Sequence, residues 1–209
     1  ATNLLGYNSA LSEKQLLSYM ARVNYGFDDK YLLTLSARSD GASQLAAGHK
    51  YSLFPSAALA WRVSHEDFLQ DAKWVNDLKL RIGAGVTGNS AIDPYFTQGP
   101  TTPIFYPIGA TLISGSIPPT VLANKALGWE KTKQYNVGVD FSVLNRRVTG
   151  SIDVYTSHTT DLLMKRSIPT VTGYTTIFDN IGETANKGVD LNINSVNINT
   201  GGFVWTSTL

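Results

Sequence analysis

With 209 residues the chain is long enough for one large domain or two small ones, and its hydrophobic content of 43% is that of a folded protein rather than a disordered one. Charged residues make up only 16%, and a net charge of +1 without a basic stripe leaves no case for a nucleic-acid partner. Cysteine is absent, which removes disulfides, a thiolate nucleophile and cysteine-based metal sites.

No run of about 18 apolar residues offers a transmembrane helix, but a barrel strand crosses with only ~9 to 11 alternating residues. Ala1 to Lys14 lacks a charged region ahead of an apolar core, so no signal peptide is read there. The first hairpin runs from Leu16 to Phe27 and from Tyr31 to Ser39. A two-residue loop would mix its polar and apolar faces, so a three-residue turn, Asp28-Asp29-Lys30, is expected, pairing Phe27 with Tyr31, Tyr25 with Leu33 and Val23 with Leu35. A third strand follows to about Val63, with Pro55 near its edge or start. Ser64-His65-Glu66-Asp67 has the form of a helix capping box, which predicts one short helix near 65–72.

Leu78, Leu80, Ile82, Ala84 and Val86 restart the alternation as a fourth strand. Residues 88–131 hold six of the chain's eight prolines and read as a long loop. The next two strands meet at Asn145-Arg146. With those two residues as the turn, Phe141 faces Gly150, Val139 faces Ile152, Val137 faces Val154 and Asp140 faces Ser151, so every pair keeps its face. A second long loop is predicted from about His158 to Asn186. Val189, Leu191 and Ile193 then mark another strand, and a last one starts at Phe203 and Trp205. Because the chain opens without Met and Phe203 to Leu209 reads as a strand in progress, a segment of a longer protein is expected.

Short connections at 28–30, 64–77, 145–146 and 197–202 alternate with long ones at 40–50, 88–131 and 158–186, as periplasmic turns and outer loops do in transmembrane barrels. Tyr25, Phe27, Tyr31, Trp61, Phe68, Trp74, Phe141 and Phe203 fall near the short-turn end, where an interfacial aromatic girdle belongs. The expected fold is all-β: an antiparallel, up-and-down transmembrane β-barrel segment of roughly eight strands from a larger barrel. The alternative is a soluble carbohydrate-binding β-sandwich, burying the same apolar face against a second sheet.

Several phrases resemble the barrel of SusC/RagA-type TonB-linked outer-membrane proteins. They are ARVNYGFDDKYLLTLSAR from Ala21 to Arg38 with Ser39-Asp40-Gly41; Phe54-Pro55-Ser56 with Ala60-Trp61-Arg62-Val63 and Glu66-Asp67-Phe68; and LKLRIGAGVTGN from Leu78 to Asn89 with Tyr95. Further on come Leu127-Gly128-Trp129-Glu130-Lys131-Thr132, NRRVTGSIDVYTSHTTDLL from Asn145 to Leu163, and Asn180-Ile181-Gly182 with Asn186-Lys187-Gly188-Val189. The resemblance implies a plugged barrel of about 22 strands in the bacterial outer membrane. Such a protein imports glycans or peptides, works with a SusD-like surface lipoprotein and is powered by the TonB complex. It further implies that 1–209 is part of the barrel domain, with plug, signal sequence and closing strands outside it.

No catalytic, cofactor or metal site is expected. His49, His65 and His158 lie in unrelated loops without ligand spacing. Asp140 and Asp153 should be diagonal neighbours roughly 7 to 8 Å apart, a separation discussed for paired glycosidase carboxylates. The reading adopted is two mildly repelling carboxylates in a wet lumen. Tyr95, Phe96, Phe105, Tyr106 and Trp129, in or beside the longest loop, are the candidates for contact with substrate or a lid protein, or for folding that loop onto itself.

Overall fold

A computed structural model describes residues 11–69, 71–99, 102–109, 111–117 and 120–209. Its strands are β1 (Leu16–Phe27), β2 (Tyr31–Ala42), β3 (Tyr51–Arg62), β4 (Val75–Asn89), β5 (Thr102–Ile108), β6 (Thr111–Ile117), β7 (Val121–Leu122), β8 (Glu130–Val143), β9 (Val148–Thr160), β10 (Leu163–Ser167), β11 (Thr176–Asn180), β12 (Glu183–Thr200) and β13 (Phe203–Thr208). Eight of them form one antiparallel sheet in the order β1-β2-β3-β4-β8-β9-β12-β13, an up-and-down meander from which only the loop strands are skipped.

Turn chemistry sets the registers. Phe27 pairs with Tyr31, Tyr25 with Leu33 and Val23 with Leu35, as face matching requires. Asp28 and Asp29 both take left-handed backbone, with φ of 52° and 51°, which Asp tolerates better than most residues. At Asn145-Arg146, φ values of 57° and 63° and the bond from Arg147 N–H to the Leu144 carbonyl (3.2 Å) make a primed two-residue turn. Phe141 therefore faces Gly150, and Val139 faces Ile152. A bulge between Val196 and Ile198 inserts one extra residue. It shifts the alternation so that Ile198, opposite Trp205, shares a face with Leu191 and Ile193.

Four expectations are corrected. The 88–131 stretch contains the β5–β6 hairpin and the short β7, and the 158–186 stretch contains the end of β9, then β10 and β11. Proline discourages a strand reading because it lacks a ladder donor, yet among the described residues β5 pairs only with β6, and its other edge tolerates Pro103 and Pro107. The short helical segment is two single 3-10 turns, Val63–His65 and Asp67–Leu69. No capping box forms, since the Ser64 hydroxyl donates to Asp77 Oδ1 at 2.9 Å. Pro55 lies inside β3 rather than at its start, but the β3–β4 ladder ends at Ser56–Gly85, so Pro55 sits just where a partner stops being needed.

The sheet carries little buried apolar surface. Val23, Tyr25, Leu35, Val137, Val154 and Val189 share the apolar face, and all are exposed. The core lies beyond one end, where Ala42, Leu45, Ala46, Phe54, Ile92, Leu127 and Trp129 pack together against Val86, Leu163 and Phe178.

Candidate functional site

The polar face of the wall is organised by one arginine. Register places Arg81 of β4 opposite Gly138 of β8, and Gly138 opposite Asp153 of β9. Because Gly138 has no side chain, the guanidinium can pass over it, and any Cβ there would collide with the Asp153 carboxylate and with Arg81. Arg81 Nε donates to Asp140 Oδ2 at 3.0 Å, and its Nη2 donates to Asp140 Oδ1 at 2.8 Å and Asp153 Oδ1 at 2.9 Å. Lys79 Nζ lies 2.7 Å from Asp140 Oδ2. The bidentate Arg–carboxylate fork fixes direction as well as charge. The picture of two carboxylates repelling in a wet lumen is thus corrected: Arg81 bridges them, and Lys79 adds a second cation beside Asp140. Asp190 of β12 extends the acidic row, directly opposite Asp153.

Above the wall, the outer loops converge on Asn180. Its side-chain Oδ1 accepts the Gly128 N–H at 2.7 Å, while its Nδ2 donates to the Gly128 carbonyl at 3.1 Å and to the Asp161 carbonyl at 2.9 Å. The Leu127-Gly128-Trp129 and Asn180-Ile181-Gly182 phrases are therefore two sides of one knot. Asn124 Nδ2 adds a bond to the Phe178 carbonyl (2.8 Å), and Gln44 Nε2 one to the Ser90 carbonyl (3.0 Å). Such bonds satisfy backbone groups that would otherwise be orphaned beside the apolar core.

The five aromatic candidates divide. Trp129 is buried, packed edge-on against Phe54 (centroids 5.2 Å apart), and its Nε1 donates to the Lys50 carbonyl at 2.7 Å. Phe96 is half-buried against Phe178, at 5.0 Å. These two hold the loops together. Tyr95, Phe105 and Tyr106 are exposed, the last two on the β5 hairpin. His158 belongs to β9 rather than to a loop, with Nε2 3.1 Å from Glu183. Among the described residues no group of three or more metal-ligating side chains forms.

At the opposite, short-turn end, Glu66 gathers the donors. The Tyr31 hydroxyl and Trp61 Nε1 donate to Oε1 at 2.7 and 3.0 Å, and Lys30 Nζ donates to Oε2 at 3.2 Å. The indole and phenol bonds hold the Glu66 carboxyl below its ordinary range, and Glu66 in turn holds Lys30 above its own. The Tyr31 and Trp61 rings stack at 6.3 Å, an apolar body with a polar tip on each.

Comparison with known proteins agrees with this architecture. The family profile described as TonB dependent receptor-like, beta-barrel matches residues 2–209. TonB-dependent receptor P3 of Formosa agariphila is 38% identical over 200 residues, 96% of this chain and 20% of that protein. TonB-dependent receptor SusC of Bacteroides thetaiotaomicron is 40% identical over 196 residues, 91% of this chain and 19% of that protein. A structure of the RagAB peptide transporter superposes with a TM-score of 0.88 at 27% identity, covering 100% of this chain and 23% of that one. The siderophore receptor PirA of Acinetobacter baumannii shares the fold at a TM-score of 0.61 and 14% identity, covering 94% of this chain and 27% of that one. The chain spans about a fifth of the length of the curated relatives it matches.

Proposed function

The chain belongs to the TonB-dependent receptor-like β-barrel family, and from that premise we propose that it forms a stretch of wall and outer loops in a bacterial outer-membrane transporter. That transporter imports glycans or peptides together with a SusD-like lipoprotein and draws its energy from the TonB complex. Residues 1–209 lie within its barrel domain, and plug, signal sequence and closing strands lie outside this segment. Similarity to SusC and to a structure named for peptide transport supports the substrate classes.

The observation that carries the reading is the uncovered apolar face. A sandwich needs a second sheet across it. The two smaller sheets, β10-β11-β7 and β5-β6, are built from loop residues, and the wall's valines and leucines remain exposed beside them. Lipid is the layer that such a face fits. Fractionation tests this: the native protein should sediment with outer membranes and need detergent for release. Recovery in aqueous buffer without detergent would overturn the proposal.

A further inference from the structure

The outer loops enclose a hollow of about 570 Å³, inside the roughly 300–1,000 Å³ range of small-molecule sites. Ala47 and Ala123 give it an apolar side, Thr97 and Gln98 supply a hydroxyl and an amide, and Lys50 and Lys125 bring two cations. Among the described residues, neither ammonium has a hydrogen-bond or ion-pair partner. A cleft lined by charge of one sign concentrates ligands of the other.

Both lysines ride on pinned segments. The Ala46 N–H donates to the Leu127 carbonyl at 3.0 Å, and Trp129 Nε1 donates to the Lys50 carbonyl at 2.7 Å, which ties the β2–β3 loop to the connection carrying Lys125. Asn124 Oδ1 accepts the Ala126 N–H at 2.9 Å and fixes the turn that presents Lys125. Such preorganisation lowers the cost of binding. A second hollow, of about 200 Å³, shares Thr97 and Gln98 and adds Glu13 and Tyr95. Tyr95 is exposed and has left-handed backbone, with φ of 71°, a costly conformation for a bulky residue and one that gathers at ligand clamps.

We propose that the two hollows bind an acidic oligosaccharide, its anionic sugar between Lys50 and Lys125 and the next sugar against the Tyr95 ring. The inference rests on the transporter reading and narrows its substrate class. The lysines are point charges suited to a carboxylate or sulfate group, while Glu13 is an acceptor for hydroxyl groups of the neighbouring sugar. The loop geometry decides against a peptide. The larger hollow is lined by residues between β2 and β3, between β4 and β5, and between β7 and β8, so among the described residues no strand edge lies there to pair with an extended backbone.

The test is titration calorimetry of the intact transporter in detergent with trigalacturonic acid, a sulfated carrageenan tetrasaccharide, neutral maltotriose and a triglutamate peptide. An acidic sugar should bind more tightly than maltotriose or the peptide; trigalacturonic acid alone identifies a carboxylate, the carrageenan alone a sulfate, and both a site for either anion. Lys50→Gln with Lys125→Gln should weaken that binding on the order of tenfold, from two exposed ion pairs. Ala47→Trp, which fills the larger hollow and leaves both lysines, should weaken it too. Lys165→Gln alters an exposed loop cation that lines neither hollow and should bind as wild type. Heat-modifiable gel migration confirms that each variant has assembled. Binding of neither acidic sugar, equal binding of maltotriose or the peptide, unchanged binding by the double variant or by Ala47→Trp, or an equal loss with Lys165→Gln overturns the site. A protein that leaves the membrane without detergent rejects the transporter reading instead, so the two failures are distinct.

Discussion

Leu191 lies within the longest strand of the sheet and is 47% exposed, whereas Leu127 lies in a connection between strands and is fully buried. In a water-soluble domain the sheet is normally covered and loops carry the exposure. The inversion separates two regions with different solvents. The loop bundle is a small conventional core, closed by Phe54, Trp129 and the Asn180 bonds. The wall is a layer whose second side is supplied by the membrane, and its order comes from ladders, turns and the Arg81 bridge rather than from apolar packing within the protein.

Deleting the same side chain in each region should sharpen this contrast. Leu127→Ala leaves a cavity among Leu45, Phe54 and Trp129 and should cost about 2–5 kcal/mol, read as lost hydrogen-exchange protection confined to the loops. In the wall, the destructive change is charge. Val139→Arg should cost about 2–4 kcal/mol near the membrane midplane, measured by unfolding in lipid, while Ser151→Asn on the polar face should stay within about 0.5 kcal/mol. Leu191→Ala should cost only about 1–2 kcal/mol, because lipid fills the vacated space and only the transfer difference remains. Equal losses for the two leucine variants would erase the distinction between the regions.

A further effect is expected at the short-turn end and depends on pH. The Glu66 carboxyl is held below its ordinary range by Trp61 and Tyr31, so its stabilising contribution is present above the unfolded value near 4.3 and is lost as pH falls through the folded one. Trp61 fluorescence should therefore change on acidification below about pH 4. Glu66→Gln should remove that transition.

The alternation of single strands carried a good deal of this architecture. Face matching around Asn145-Arg146 gives the register of β8 and β9, because a slip of one residue would turn Val137, Val139 and Ile152 to the wrong side. The same logic placed Phe27 against Tyr31. Strands inside loops were not legible. Pro103 and Pro107 mask β5, and Glu183 to Lys187 place polar residues on both faces with only Ala185 between them, so the first part of β12 has no period to read. The candidate site was legible only in part. Asp140 and Asp153 could be paired from one hairpin, but Arg81 comes from a strand 59 and 72 residues earlier, and only sheet topology brings it alongside. In the sequence Trp129 reads as an aromatic beside a loop. Its burial depends on Phe54 and on the Lys50 carbonyl, which sequence spacing does not connect.

The central claim is that one face of the wall meets lipid and the other meets water. The segment has no cysteine, so single cysteines can be placed at Asn136, Val137 and Val139 and at successive positions from Ser151 to Val154 and labelled in intact membranes with a membrane-impermeant maleimide. Labelling should alternate, with Asn136, Ser151 and Asp153 positions reacting and Val137, Val139, Ile152 and Val154 positions protected. Uniform labelling, or the opposite alternation, would contradict the account.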